Sequence, residues 1–335
     1  VCSSDLRLVS ATDGVGDPTT LGLQFKLKPG WKIYWRTPGD AGYPPRLDWS
    51  ASTNLATVEM AWPAPERFSV LGLETLGYKD EVVFPLTVTA TGAGKPLRLN
   101  AALDYLTCDD ICIPYSAKLS LDLPSTMPKP TEFAQLISRY QARVPAAGEG
   151  RGIEIDAAWI EGRGASAMLK VAATAAWPFV HPDLFAEATP EISFGAPTVT
   201  LGDEGRRAAL SVPVWIAHAD AVERLAAKPV TLTLVDGPRA VEKTLTLSTT
   251  APGGWIAPSG DTGLGIALAL AMLGGLILNL MPCVLPVLSL KLLSVLDHRA
   301  LGRRSIRMGF VASAAGVVTA FLGLAAVLAA LKAAG

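Results

Sequence analysis

Residues 96–123 read PLRLNAALDYLTCDDICIPYSAKLSLDL, and a pair of cysteines, Cys108 and Cys112, lies in the middle of this stretch. The flanking runs PLRLNAALDYL and AKLSLDL have the character of β-strands. A disulfide needs Cα atoms within about 7 Å of each other, and three intervening residues in a loop or at a hairpin end meet that limit. The pair is therefore compatible with a structural staple, a metal clip or a redox centre. The cellular compartment decides among these three.

Short strand-like runs and turns continue on both sides of the cysteine pair. LGLQFKL alternates apolar and polar residues, KPGW turns the chain, and KIYW and EVVFPLTVTAT are further strand candidates. Their spacing predicts a sandwich of immunoglobulin type over residues 7–125. In the following segment, residues 126–150, TEFAQLISRYQARV predicts a helix that Thr131 or an adjacent residue caps, and a flexible link follows it.

Residues 151–250 are again rich in strand-like runs, among them GIEIDAAWI, RAALSVPVWI and VTLTLVDG. They predict a second β-sandwich, also of immunoglobulin type. This region contains no cysteine, and its histidines, His181 and His218, have no evident partner in the sequence. We therefore expect a spacer or docking role for it. A Pro/Gly-rich linker, residues 251–262, leads onward.

The last part of the chain has the character of a membrane protein. Half of the residues are hydrophobic, the mean hydropathy is +0.35, and the net charge of −1 gives no indication of a nucleic-acid partner. Residues 262–290 and 308–331 carry no charge, and each run exceeds the roughly 20 apolar residues that a spanning helix needs. We expect residues 263–335 to begin an α-helical transmembrane domain, with two helices in contact with lipid.

The intervening loop, residues 297–307, fixes the expected orientation. It is rich in arginine, and positively charged loops stay in the cytoplasm. The residues before about 260 are then expected in the periplasm of a bacterium, outside the inner membrane. That compartment is oxidising, so a close cysteine pair can exist there as a disulfide.

Both ends of the sequence look atypical. VCSSDL, residues 1–6, resembles translated sequencing-adapter DNA, and we expect these residues, Cys2 included, not to belong to the protein. The sequence stops at LAALKAAG, just after the second apolar run, and two helices make a poor membrane domain. We therefore expect the chain to be an N-terminal fragment.

Cys283 lies in the first apolar run, between Pro282 and Pro286. Pro286 has no N–H, so the carbonyl of Pro282 loses its helical partner and the helix is expected to kink near the cysteine. Irregular backbone at membrane depth is tolerated only where protein or a water-filled cavity covers it. Cys283 is therefore a candidate reactive thiol, and the alternative is an inert, small apolar residue.

LDYLTCDDICIPYSAKLSLDLP followed downstream by NLMPCVLPVLSLK resembles the DsbD group of thiol:disulfide interchange proteins, especially its ScsB branch. The resemblance implies a periplasmic immunoglobulin-like domain, a transmembrane domain similar to that of cytochrome c biogenesis proteins, and a thioredoxin-like domain that this sequence does not include. It implies a protein-disulfide reductase. Electrons would pass from cytoplasmic thioredoxin through membrane cysteines to the periplasmic pair, and on to thioredoxin-fold or isomerase-type proteins. No cofactor beyond redox-active cysteines is implied, and no metal.

The resemblance also implies residue roles. Cys108 and Cys112 match the periplasmic pair, with Cys112 forming the mixed disulfide and Cys108 resolving it. Cys283 matches the first membrane cysteine, whose partner would lie on a later helix. The three-residue spacing of the periplasmic pair is narrower than in the best-known DsbD proteins, which favours the ScsB branch.

Family members carry aromatic and acidic residues around the pair. WKIYW suggests Tyr34 for such a role, and PERFSVLG suggests Glu66 and Phe68; ordinary strand packing is the alternative for each. Asp109 and Asp110 lie between the cysteines, and nearby negative charge disfavours a thiolate. We expect them to raise the thiol pKa, unless both are solvated turn residues.

Two alternatives to the relay stay open at this point. Thiolates suit Cu(I), and the ScsB branch is linked to copper tolerance, which makes a copper-binding module conceivable. However, no His or Met lies close in sequence to the pair. The other alternative is a docking domain whose disulfide is only a staple.

Overall fold

The computed structural model describes residues 4–70, 72–147, 152–162, 167–189, 192–216 and 228–252, together with residues 272–274, 316, 319 and 323, which are helical. No helix within this part of the chain is long and apolar enough to cross a membrane. The predictions for the apolar runs, the loop 297–307, His218, Cys283, Pro282 and Pro286 lie outside the described residues.

The first sandwich consists of two antiparallel sheets. Its strands are β1 (Ser4–Ser10), β2 (Thr19–Leu27), β3 (Lys32–Gly39), β4 (Arg46–Asp48), β5 (Leu55–Met60), β6 (Glu66–Val70), β7 (Leu73–Lys79), β8 (Glu81–Ala90), β9 (Leu97–Cys108) and β10 (Cys112–Leu123). One sheet has the order β1-β2-β8-β5, and the other has the order β10-β9-β3-β7-β6 with β4 against β9. Aromatic side chains fill the space between them; Phe25 and Phe84, for example, lie edge to face at 5.9 Å between ring centroids. The predicted β-rich fold is confirmed here.

Residues 4–6 belong to β1 and pair with residues 25–27 of β2. The expectation that residues 1–6 are foreign to the protein stays a prediction.

Helix α1 (Ala134–Gln141) packs against β8 and buries Ile137 and Tyr140. It is shorter than the predicted segment, and its N-cap is Phe133 rather than Thr131. The Thr131 hydroxyl donates to the carbonyl of Ser10 at 2.5 Å and accepts the N–H of Phe133 at 3.2 Å. Thr131 therefore anchors the turn before the helix to β1 instead of capping the helix.

The second sandwich is also confirmed as β-rich. Its strands are β11 (Ala146–Ala147), β12 (Ile153–Glu161), β13 (Met168–Ala175), β14 (Asp183–Glu187), β15 (Ile192–Phe194), β16 (Thr198–Gly202), β17 (Arg207–Ile216), β18 (Pro229–Asp236) and β19 (Arg239–Thr246). One sheet has the order β11-β19-β18-β14, and the other has the order β12-β13-β17-β15 with β16 against β17. Aliphatic residues such as Val171, Leu210 and Leu232 form the core between them.

The two sandwiches belong to one compact unit, residues 1–260, which is separate from a second unit, residues 261–335. Phe185 of β14 is buried in the core of the first sandwich, where its ring lies 5.9 Å from that of Trp35. Val235 of β18 packs against the same core. The predicted spacer thus contributes side chains to its neighbour's interior.

Candidate functional site

The cysteine pair lies at the tip of the β9–β10 hairpin. The register places Cys108 directly opposite Cys112, and Asp109, Asp110 and Ile111 form the connecting loop. The sulfurs are joined in a disulfide, with an S–S distance of 2.02 Å and a Cα–Cα distance of 4.1 Å. Of the two settings that the spacing allowed, a loop or a hairpin end, the structure has the hairpin end.

The two cysteines differ sharply in exposure. Cys108 is completely buried, whereas Cys112 is exposed, and Ile111 beside it is 60% exposed. An incoming thiolate therefore meets Cys112 first. Attack on that sulfur makes the shielded Cys108 sulfur the leaving group.

Two aromatic side chains, from strands distant in sequence, shield the buried sulfur. Tyr34 of β3 is fully buried and forms a small cluster with Cys108, against which Phe68 of β6 and Leu106 pack. The Tyr34 hydroxyl lies 3.9 Å from the Cys112 Sγ. Burial raises the pKa of Tyr34, so its hydroxyl keeps its proton at neutral pH. The structure thus brings the predicted Tyr34 and Phe68 to the disulfide.

Glu66 forms an ion pair on the surface. Its carboxylate pairs with Lys79 at 2.9 Å, and both side chains are more than half exposed. This pairing follows from its place in β6, where it lies opposite Gly77 at the edge of the sheet.

A lysine that the sequence reasoning missed faces the loop between the cysteines. Lys32 lies opposite Cys108 in the β3–β9 pairing, and its Nζ is 3.9 Å from the Asp109 carboxylate and 5.7 Å from the Phe68 ring centroid. Its positive charge opposes the expected effect of Asp109 on the thiols. The sequence does contain one indication of this role: Lys32 precedes Tyr34 by two residues, so the two side chains lie on the same face of a strand.

Two glycines, also missed, allow close approach at the site. A Cβ on Gly42 would lie 2.3 Å from the Tyr34 ring, and Gly42 has a φ of +99°. A Cβ on Gly30 would lie 2.8 Å from an Asp109 carboxylate oxygen, at a φ of +87°. The loop after β3 and the turn before it therefore both pack against the site through glycine.

Other candidate features lie elsewhere. Two cavities of about 510 and 520 Å³ are both lined by Arg67, His181 and Asp183, and neither includes a residue of the cysteine hairpin. The size of these cavities is not sufficient reason to prefer them to the disulfide as the functional site. Within the described ranges, no group of three or more His, Cys, Asp or Glu side chains is placed to hold a metal ion.

Both sandwich regions match known family models. Residues 6–124 match the family model of the thiol:disulfide interchange protein DsbD, N-terminal, and residues 143–250 match a domain of unknown function, DUF8393. The crystal structure of the N-terminal periplasmic domain of ScsB from Proteus mirabilis is 25% identical, covers 75% of this chain and 95% of that chain, and gives a TM-score of 0.60. The reduced N-terminal domain of DsbD from Neisseria meningitidis is 14% identical, covers 38% of this chain and 91% of that chain, and gives a TM-score of 0.24. No curated protein matches the chain.

Proposed function

Because the chain is a DsbD/ScsB-type protein, we propose that Cys108 and Cys112 form a redox-active pair through which it reduces disulfides of periplasmic proteins. The observation that carries the proposal is the asymmetry of the disulfide. The Cys112 sulfur is accessible to a partner, whereas the Cys108 sulfur is buried behind Tyr34 and Phe68.

The exchange proceeds in two balanced steps. The Cys112 thiolate attacks one sulfur of the partner's disulfide; a mixed disulfide forms, and the partner's other sulfur leaves as a thiolate. The Cys108 thiolate then attacks the Cys112 Sγ, which restores the Cys108–Cys112 disulfide and releases the partner's second thiolate. Two electrons pass to the partner, and its two thiolates take up protons according to their pKa values.

Tyr34 supports the first step. Its protonated hydroxyl lies within reach of the Cys112 Sγ and stabilises a thiolate there by donating a hydrogen bond. Phe68 and Tyr34 exclude other thiols from Cys108, so exchange is restricted to Cys112.

Renewal of the dithiol requires a donor, for which the sequence resemblance supplies the class. Electrons would come from cytoplasmic thioredoxin through Cys283 and a second membrane cysteine on a later helix, by way of a thioredoxin-like domain. The protein would thus lie in the bacterial inner membrane. Its acceptors would be thioredoxin-fold or isomerase-type proteins of the periplasm.

Single-cysteine variants test the proposed roles. The full chain, with Cys2 and Cys283 replaced by serine, is prepared as Cys108→Ser and as Cys112→Ser and exposed to oxidised glutathione. We expect the Cys108→Ser variant to form the glutathione mixed disulfide at least about 10-fold faster, because its remaining thiol is the exposed one. If the Cys112→Ser variant reacts faster, the roles are reversed. If neither reacts, the pair is not an exchange centre.

A further inference from the structure

The second sandwich meets the first through one face of strand β14. Asp183, Phe185 and Glu187 alternate along this strand, so their side chains lie on the same face. Asp183 binds Arg67 of β6, Phe185 enters the core of the first sandwich, and Glu187 binds Arg36 of β3. These two strands also carry the aromatic residues that cover the buried cysteine.

The contact to β6 is a two-point ion pair. The Nε and Nη2 of Arg67 each donate to a different oxygen of Asp183 at 3.1 Å, and Nη2 also donates to the carbonyl of Leu184 at 3.1 Å. The Arg67 side chain is only 17% exposed, so water screens this pair weakly. Because adjacent residues of a strand point to opposite faces, Arg67 holds β6 from the side opposite Phe68.

The Arg67–Asp183 ion pair is important because β6 has few stabilising contacts within its own sheet. It has five residues and lies at the edge of its sheet, where β7 is its hydrogen-bonded neighbour. A short edge strand with one neighbour is easily opened. The ion pair gives β6 a second attachment, from outside its own sheet.

The contact to β3 lies just beyond the site. The Nε of Arg36 donates to a Glu187 oxygen at 3.0 Å, and Arg36 also pairs with Glu242, while the Thr37 hydroxyl donates to Glu187. The β3–β7 pairing is irregular between Tyr34 and Gly39, so this part of β3 lacks regular ladder bonds. Carboxylates of the second sandwich hold it instead.

We propose that the second sandwich is a positioning element for the disulfide: its strand β14 fixes β3 and β6, and thereby keeps Tyr34 and Phe68 closed over Cys108 while Cys112 stays open. Arg67 and Arg36 are then positioning residues. This inference deepens the proposed function, on which it rests, and it gives a role to a region that matches a domain of unknown function.

The test measures which cysteine is accessible in the reduced protein. The full chain in detergent, with Cys2 and Cys283 replaced by serine, is prepared unchanged and as Arg67→Met and Asp183→Asn. Each thiolate displaces iodide from iodoacetamide, and fragment-ion mass spectrometry separates labelling at Cys108 from labelling at Cys112. We expect the Cys108 rate to rise about 3- to 10-fold relative to the Cys112 rate in both variants, as loss of a partly buried ion pair predicts.

A matched control breaks an ion pair away from the contact. Lys170→Met removes the pair with Glu161 inside the second sandwich, at 3.5 Å and with Lys170 27% exposed, and we expect no change in Cys108 labelling. The proposal is overturned if Cys108 labelling is unchanged in the folded variants, or if the control raises it equally. It is also overturned if both variants lose cooperative unfolding, because the contact would then be structural only; if Arg67→Met alone unfolds, Asp183→Asn decides.

This result is separable from the proposed function. Labelling reports how well Cys108 is shielded in the reduced protein, whether or not the pair exchanges with partners. If the labelling experiment gives a negative result, exchange at Cys112 can still occur. If the glutathione experiment shows no exchange, the effect of the variants on Cys108 labelling can still be observed.

Discussion

Tyr34 links the chemistry of Cys112 to the interior of the first sandwich, and a single glycine makes its position possible. The Gly42 backbone lies against the Tyr34 ring at a φ of +99°, so both the space and the conformation require glycine. The loop over Tyr34 is therefore part of the site, although it carries no reactive group.

Replacing this glycine tests the packing. Gly42→Ala places a Cβ 2.3 Å from the Tyr34 ring, and we expect it to lower the free energy of unfolding by about 2–4 kcal/mol, through overpacking and backbone strain. Gly94→Ala is the matched control. Gly94 has a φ of +71° and open space around it, so strain alone should cost about 1–2 kcal/mol. Urea unfolding measures both, and equal losses would contradict the packing argument.

At this scale the sequence reveals residues whose chemistry is local. Cys108 and Cys112 stand out by type and spacing, and the resemblance pointed to Tyr34 and Phe68. Lys32 and Gly42 were missed because their roles depend on which strands become neighbours, which no local pattern states. Glu66 pairs with Lys79 of the adjacent strand, a partner that likewise depends on strand neighbours, and its role at the site stays a prediction.

Among the elements, the β9–β10 hairpin determines the electrostatics of the thiols. Its tip carries Asp109, which lies beside Lys32, and Asp110, which is exposed. Negative charge there raises a thiol pKa, and the Lys32 charge opposes it. The balance between them decides how reactive the reduced pair is.

Asp109→Asn removes the negative charge while Lys32 stays. We expect the pKa of the Cys112 thiol in the reduced protein to fall, because one nearby negative charge that disfavours the thiolate is lost. The pH dependence of iodoacetamide labelling measures it. Asp122→Asn, at the far end of β10 and paired with Arg98, is the control and should leave the pKa unchanged. A fall of the same size in the control, or a rise in Asp109→Asn, would contradict this account.

Most long strands were predictable because their alternation of buried and exposed residues is local; β9 follows it over nearly its whole length. The shortest strands, such as β4 and β11, carry too few residues for any pattern. Helix α1 is shorter than predicted at both ends, because residues 131–133 and 142–144 form turns that the apolar pattern alone does not distinguish from helix.

Both sandwiches belong to one compact unit of the molecule, residues 1–260. Phe185 completes the core of the first sandwich, so residues 7–125 alone would expose part of that core. From the sequence, only a spacer or docking role was predicted for residues 151–249. Asp183, Phe185 and Glu187 have the alternation of an ordinary strand, and their partners in the first sandwich cannot be inferred from that pattern. Measurements on the site therefore require both sandwiches.

A buried tyrosine, Tyr78, is expected to make the two-sandwich unit less stable as the pH rises in the alkaline range. Burial raises the pKa of Tyr78 well above 10.0, and its hydroxyl donates to the Pro63 carbonyl at 2.7 Å. A raised folded-state pKa gives stability that is complete below the unfolded-state pKa and lost as pH rises above it. We expect Tyr78 alone to contribute a loss of about 1.4 kcal/mol per pH unit above pH 10.

Tyr78→Phe isolates this effect. At pH 8 the free energy of unfolding of the variant should be lower by about 1 kcal/mol, because the hydrogen bond to the Pro63 carbonyl is absent. Between pH 10 and 11 its free energy of unfolding should fall less steeply with pH than that of the unchanged protein. Urea unfolding at each pH measures the difference between the two proteins. Parallel curves through that range would show that Tyr78 does not titrate with unfolding.

The reduction potential of the Cys108–Cys112 disulfide distinguishes an exchange centre from a structural staple. Thiol trapping in graded redox buffers, on the full chain with Cys2 and Cys283 replaced by serine, gives the value. We predict a potential clearly above about −300 mV with rapid exchange, as for exchangeable disulfides. A potential well below that value, with slow exchange, would make the disulfide a staple and contradict the account.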